Sequence, residues 1–364
     1  MGRLHDLYRI CGQSPWIDDI RREWFEDGTL DRLLRAGVRG LTSNPTIFQR
    51  AVTTSDTYDA DIVRMRAQGM GPEDTLWELM VNDIRRAADA LAEVYRSSSS
   101  SDGFVSIELD PRLANDTGGT VEAARRLWER VSRPNLLVKV PGTREGVDAV
   151  RELVRLGVNV NVTLLFSVER YREVAVAYIE GLEQRAGDLS EVSGVASFFV
   201  SRVDTACDEL LVASDDQRAR LLLGRVAVAN ARMAYRLFRE VFSSERWRAL
   251  AARGARPQLP LWASTSTKNP AYSRTKYVDE LIAPDTVNTM PMETLEAFES
   301  SGRLERAIDE DDTADRAVLE GLSSVGIDLG EVTRRLEEDG VRAFVVSFES
   351  LLHSLDTKAA ALTS

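Results

Sequence analysis

An alternation constrains the fold more than any other feature of this sequence. Short apolar runs of strand length are separated by amphipathic stretches of helix length, from near the N-terminus to about residue 290. Eight runs read as strands: 14–18, 38–44, 104–110, 136–141, 158–166, 195–199, 259–264 and 286–290. Such an alternation argues for βα units around a parallel sheet. Eight strands are the number that closes an α/β barrel of the TIM (β/α)8 type, and this is the fold expected. An open doubly wound sheet is the alternative, because a sequence does not display closure. The 364 residues fit one barrel domain with additions, since barrels run to about 250 residues before insertions. The gaps after the second and sixth strands are too long for one helix each and are expected to hold extra helices. Asn115–Thr117 offers N-cap chemistry, and RLLLGRVAVANARMAYRLFREVF (220–242) reads as one long helix. The serine run 97–101 reads as a surface loop. The barrel core spans about 13–298, and 299–364 reads as a helical segment packing on the barrel, as tail or lid.

Composition removes several function classes. No apolar run approaches the roughly 18 residues of a membrane span, and the first residues lack the apolar stretch of a signal peptide. Cys11 and Cys207 form neither a disulfide framework nor a metal spacing. A reducing cytoplasm is the compartment expected. The net charge is −12 with cations dispersed, so neither nucleic acid nor an anionic membrane is an expected partner. A homo-oligomer stays open. The two histidines, His5 and His353, lie near opposite ends. No metal site is expected, and His353 reads as a plain helix residue. Chemistry then falls to Lys, Asp, Glu, Ser and Thr.

Strand side chains alternate faces. In 158–166, Val158, Val160, Val162 and Leu164 share one face, so Asn161 and Thr163 point into the barrel. The same reasoning sends Ser106, Glu108 and Asp110 inward, and Lys139 with Leu137. It also sends inward Thr42 with Asn44, Trp16 with Asp18, and Val195 with Ser197. Buried parallel strands are normally apolar on both faces, and burying an unpaired polar group costs several kcal/mol. Any one of these residues is most simply a satisfied structural group, such as an ion pair between Glu108 and Lys139. Six strands doing so at the C-terminal end, where barrel active sites lie, point to chemistry.

A lysine among apolar walls loses solvation of its charged form. The neutral amine attacks a carbonyl, and the resulting iminium is an electron sink for breaking a neighbouring carbon–carbon bond. Asp18 has the chemistry to take a hydroxyl proton. Glu108 and Thr163 suit the water of carbinolamine formation, and Asn44 and Ser197 suit sugar hydroxyls. Arg202 and Lys268, after strands, suit a phosphate.

These residues lie in segments that resemble the transaldolase family, in its longer bacterial type within the Schiff-base class I aldolases. LVKVPGT (137–143) looks like the family's K-[IV]-P-[AG]-T strand, and GVRGLTSNPTIF (37–48) like its T-[ST]-N-P segment. VSIELDPRLANDT (105–117) looks like S-x-E-x-D-x-R-L, and NVTLLFS (161–167) like N-x-T-L-[LI]-F-S. ASFFVSRVD (196–204) looks like S-x-F-V-x-R-[IV]-D. SPWIDDIRR (14–22) and the stretch from 260 to 291 resemble the first, seventh and eighth strands of the longer members. The resemblance implies no cofactor and transfer of a dihydroxyacetone unit between sugar phosphates of the pentose phosphate pathway. By position it implies Lys139 as nucleophile, Asp18 as acid/base, and Glu108 with Thr163 as water holders. Asn44, Ser197 and Ser264 would bind the dihydroxyacetone part, and Arg202 the phosphate. Two departures stand out. Lys268 follows the seventh strand where shorter members carry arginine, and Ser266 stands where the longer type carries glycine. The choice between Ser264 and Ser266 therefore stays open, as does Asp18 against Asp19. The rival readings are an aldolase releasing free dihydroxyacetone, a transaldolase-like enzyme of a secondary pathway, and a non-catalytic barrel.

Overall fold

The computed structural model describes residues 2–363. Its centre is a closed barrel of eight parallel strands in sequential order. They are β1 (Gln13–Asp18), β2 (Gly40–Thr42), β3 (Val105–Glu108), β4 (Leu136–Pro141), β5 (Val160–Leu165), β6 (Gly194–Phe199), β7 (Leu259–Ala263) and β8 (Thr286–Met290). Closure comes from β1, which pairs with both β2 and β8. The open sheet is thereby set aside. Val138, Val140, Val160 and Val162 are wholly buried and supply the apolar outer wall.

The helix patterning mostly holds. Helices Pro45–Thr54, Asp59–Ala67, Pro72–Ala90 and Ala92–Ser97 fill the gap after β2, and Ser201–Ala213, Val226–Val241 and Glu245–Ala251 the gap after β6. Residues 97–101 form a turn, with Ser99 and Ser100 in the left-handed region and their carbonyls bound by Arg256. Asp116 caps the helix Thr117–Val131 through the Gly119 N–H. The expected single helix over 220–242 is broken. Gly224 has φ 67° and packs under the Tyr272 ring, so a 3-10 turn precedes it and the α-helix starts only at Val226. Left-handed backbone of this kind is cheap only for glycine.

Strand ends are shorter than the apolar runs suggest. β3 stops at Glu108, and Asp110 does not enter the barrel. It caps the turn Pro111–Leu113 through the Arg112 N–H and pairs with the Arg112 guanidinium at 2.6 Å. In β5 the register shifts between Val162 and Leu165, and Leu164 has φ 60°. This bulge takes Leu164 off the outer face assigned to it by strict alternation. Beyond β8 lie helices Met292–Ser301, Thr313–Ser324 and the long Leu329–Thr363. His353 is an exposed residue of that last helix. Among the described residues no helix is long and apolar enough to cross a membrane.

Candidate active site

The barrel's upper layer is built in register. Glu108, Lys139, Asn161 and Val195 stand side by side on β3 to β6. Lys139 Nζ donates to the Ser43 carbonyl at 2.8 Å and to Glu108 Oε2 at 3.2 Å. The amine thus meets polar partners rather than the apolar walls expected of it. Burial pushes the Glu108 carboxyl above its ordinary range, against the opposing pull of Lys139.

Asp18, at the end of β1, accepts from Thr42 Oγ1 at 2.7 Å, and Thr42 shares a second 2.7 Å bond with Thr289 Oγ1. Burial raises the Asp18 carboxyl too. Lys139 and the Thr42 bond oppose the shift, and Asp19 adds to it. Asp19 itself is held in a 2.7 Å ion pair with Arg21. The neighbours differ in their partners: Asp18 is bonded to Thr42, which in turn meets Thr289, while Asp19 is tied to Arg21, and both carboxylates line the barrel mouth.

Ser197 Oγ donates to Asn161 Oδ1 at 2.7 Å, and Asn161 Nδ2 donates to Ser106 Oγ at 2.9 Å. Thr163 Oγ1 is buried without a hydrogen-bond partner among the described residues. Asn44 closes the turn after β2 as the N-cap of Pro45–Thr54, its Oδ1 accepting from the Ile47 N–H at 3.0 Å. Its side-chain N–H2 has no bond among the described residues. A proline at the first helical position fits that cap, because its missing N–H would be unpaired anyway.

Asp18, Thr42, Asn44, Lys139, Thr163 and Ser197 line one cavity of about 590 Å³ with Arg202, Ser264, Ser266 and Lys268. Among the described residues Arg202 makes no hydrogen bond or ion pair, and its guanidinium lies 5.1 Å from the centre of the Phe199 ring. Burial draws its proton affinity below the ordinary arginine value, against the pull of Asp18. Lys268 Nζ donates to Ser266 Oγ at 2.9 Å. Ser264, with φ 56°, shares a 2.9 Å hydroxyl bond with Ser201. Here a non-glycine residue sits in strained backbone beside a cavity.

Relatives sharpen this picture. The profile of the family described as Transaldolase/Fructose-6-phosphate aldolase matches residues 15–355. The chain belongs to the transaldolase/fructose-6-phosphate aldolase family. It is 47% identical over 358 residues to the protein named transaldolase from Thermobifida fusca, covering 97% of both chains. It is also 47% identical to the transaldolases of Thiobacillus denitrificans, over 97% of this chain and 99% of that one, and of Mycolicibacterium smegmatis, over 94% of each.

All nine expected site residues surround the barrel mouth. Eight line the cavity, and Glu108 stands behind Lys139. Both Ser264 and Ser266 reach it. The structure adds groups that sequence reasoning left without a role. Thr42, itself bonded to Thr289, holds Asp18, and the Ser43 carbonyl accepts from Lys139. Asp204, pushed up to about 6 by burial, accepts from Tyr277 Oη at 2.8 Å, and Asp208 accepts from Tyr272 Oη at 2.6 Å. These two bonds tie the loop carrying Lys268 to the helix carrying Arg202. Phe344, from the last helix, also lines the cavity. Spaced among other apolar residues of an amphipathic helix, it looks in the sequence like ordinary core.

Proposed function

We propose that this chain is a transaldolase that carries a dihydroxyacetone unit on Lys139. The donor is a ketose phosphate such as sedoheptulose 7-phosphate or fructose 6-phosphate. The acceptor is an aldose phosphate such as glyceraldehyde 3-phosphate or erythrose 4-phosphate. The observation that carries this reading is the buried Lys139–Glu108 pair in a barrel mouth that also holds Asp18 and an Arg202 without an ion pair among the described residues.

In this mechanism Glu108 takes the lysine's proton, and the free amine adds to the ketose carbonyl. The carbinolamine loses water between Glu108 and Thr163, whose hydroxyl is open to it. Asp18 then removes the C4 hydroxyl proton, and the carbon–carbon bond breaks towards the iminium. The aldose leaves, and its replacement is attacked by the enamine. Asn44, Ser197 and Ser264 hold the three-carbon part. Arg202, seconded by Lys268, holds the phosphate of whichever sugar occupies the outer half. A cytoplasmic location belongs to the same proposal.

The test is reduction with borohydride in the presence of fructose 6-phosphate, followed by mass mapping. A reduced three-carbon unit is expected on Lys139. Labelling at Lys268 or Lys276 instead overturns the assignment.

A further inference from the structure

The helix Leu329–Thr363 lies across the barrel mouth, and its attachments run from one side to the other. Glu337 pairs with Arg170 at 3.4 Å. Gly340 sits directly on the rim: a Cβ there would stand 3.0 Å from Leu164 Cδ2 and 3.8 Å from a guanidinium nitrogen of Arg202. One turn on, Phe344 enters the cavity wall. Ser347 accepts from Thr46 Oγ1 at 3.1 Å, and Ser350 from Gln49 Nε2 at 2.7 Å. Phe348 packs on Trp77 with ring centres 5.8 Å apart. At the far side Lys358 Nζ donates to the Val52 carbonyl at 2.9 Å and pairs with Asp59 at 2.6 Å. Phe344 is only 8% exposed and lines the cavity.

We infer that Phe344 and the helix that holds it determine whether the Lys139-bound unit is transferred or released. The inference rests on the proposed Schiff-base reaction. Cleavage leaves a three-carbon enamine on Lys139. In transfer, its nucleophilic carbon bonds to the carbonyl carbon of the acceptor, whose oxygen takes a proton. In release, that same carbon takes a proton from solvent. Water then adds to the iminium, the carbon–nitrogen bond breaks, and free dihydroxyacetone leaves with the lysine amine restored. The two branches divide at the carbon: it meets an aldehyde or a proton first. An apolar ring over the mouth lowers the access of bulk water to that carbon while leaving the polar floor of the site intact, and closure of this kind suppresses side reactions of bound intermediates. The Leu164 bulge and Gly340 are what let the helix lie this low.

The experiment measures two rates on the full chain. One is dihydroxyacetone release from fructose 6-phosphate alone, read by coupled reduction with glycerol dehydrogenase. The other is transfer to erythrose 4-phosphate. For Phe344→Ala the ratio of release to transfer is expected to rise several-fold, and for Phe344→Leu to stay near wild type. Lys358→Met leaves the cavity wall unchanged but cuts the helix's far tether, and should shift the ratio the same way to a smaller extent. It carries the test if Phe344→Ala does not fold. A general loss of packing lowers both rates together, which leaves the ratio unmoved and overturns the inference. If wild type itself forms no reducible adduct on Lys139, the proposed function falls first. If wild type transfers normally and no variant moves the ratio, the inference alone is wrong.

Discussion

Lys139 and Glu108 stand opposite each other on adjacent strands, with Nζ 3.2 Å from Oε2 and both side chains almost fully buried. Two full charges in such a place are expensive to desolvate, and moving one proton from lysine to glutamate relieves both. The ion pair that looks structural also suits the proposed nucleophile, because Glu108 stands where it can take the amine's proton. Its direction is consistent with the raised proton affinity that burial gives Glu108.

Glu108→Gln should therefore slow adduct formation, since the amide cannot accept the proton. The cost expected for a missing proton acceptor is about 10²–10⁴-fold. Quenched-flow trapping with borohydride measures it. Adduct forming at the wild-type rate would remove Glu108 from this step.

How legible this site was depends on which interaction places each residue. Asp18, Lys139, Asn161 and Ser197 are placed by the two-residue period of a strand, so parity alone finds them. Asp110 obeys the same parity but lies past the last ladder bond of β3, where its carboxylate gains more by capping a turn and binding Arg112. Leu164 escapes through a bulge, which is a property of chain geometry at the rim and leaves no trace in the apolar pattern. The eight strands follow from alternation, whereas closure rests on the pairing of β1 with both β2 and β8, which the sequence does not display. The path of Leu329–Thr363 across the mouth follows from contacts hundreds of residues apart in sequence, such as Gln49 with Ser350, which no local pattern encodes.

Asp18→Asn separates activity from stability. Burial raises the Asp18 carboxyl, so its folded pKa lies above its unfolded one. Between those two values the folded state binds more protons, and stability falls as pH rises through that window. At neutral pH, above the unfolded value, the raised carboxyl costs the fold stability that it does not cost in acid, and the asparagine variant should melt at a higher temperature. It should also hold an intact-ketose adduct on Lys139 without cleaving it. A melting temperature lower than wild type at neutral pH would contradict the sign of this argument. If Asp19→Asn accumulates the intact adduct instead, the base is Asp19. The acid limb of the wild-type kcat profile should lie above the ordinary aspartate range for the same reason.

Among the described residues Arg202 makes no hydrogen bond or ion pair, so removing it breaks no bonded carboxylate pair. Arg202→Ala should raise KM for phosphorylated substrates, with kcat much less affected, because the guanidinium would hold the phosphate equally in ground and transition states. Arg202→Lys should recover only part of the loss, since a point charge cannot form the bidentate fork. Steady-state kinetics with fructose 6-phosphate decides it. An unchanged KM with a large fall in kcat would give Arg202 a different role.

Thr163 gives the sharpest contrast between folding and chemistry. Its hydroxyl is wholly buried and finds no hydrogen-bond partner among the described residues. Leaving such a group unpaired costs about 1–3 kcal/mol. Valine has nearly the same shape and no hydroxyl, so Thr163→Val should not destabilise the fold and is expected to stabilise it by up to about 1–3 kcal/mol. If the hydroxyl holds the water that leaves the carbinolamine, the same variant should form the Lys139 iminium slowly. Cleavage of adduct already formed should proceed at the wild-type rate, because Asp18 acts at a different carbon. Denaturant unfolding reads the first effect, and single-turnover trapping the second. A variant that is destabilised by more than the loss of one small contact would mean that the hydroxyl serves the fold. A stabilised variant with undiminished iminium formation would leave Glu108 to handle the water alone.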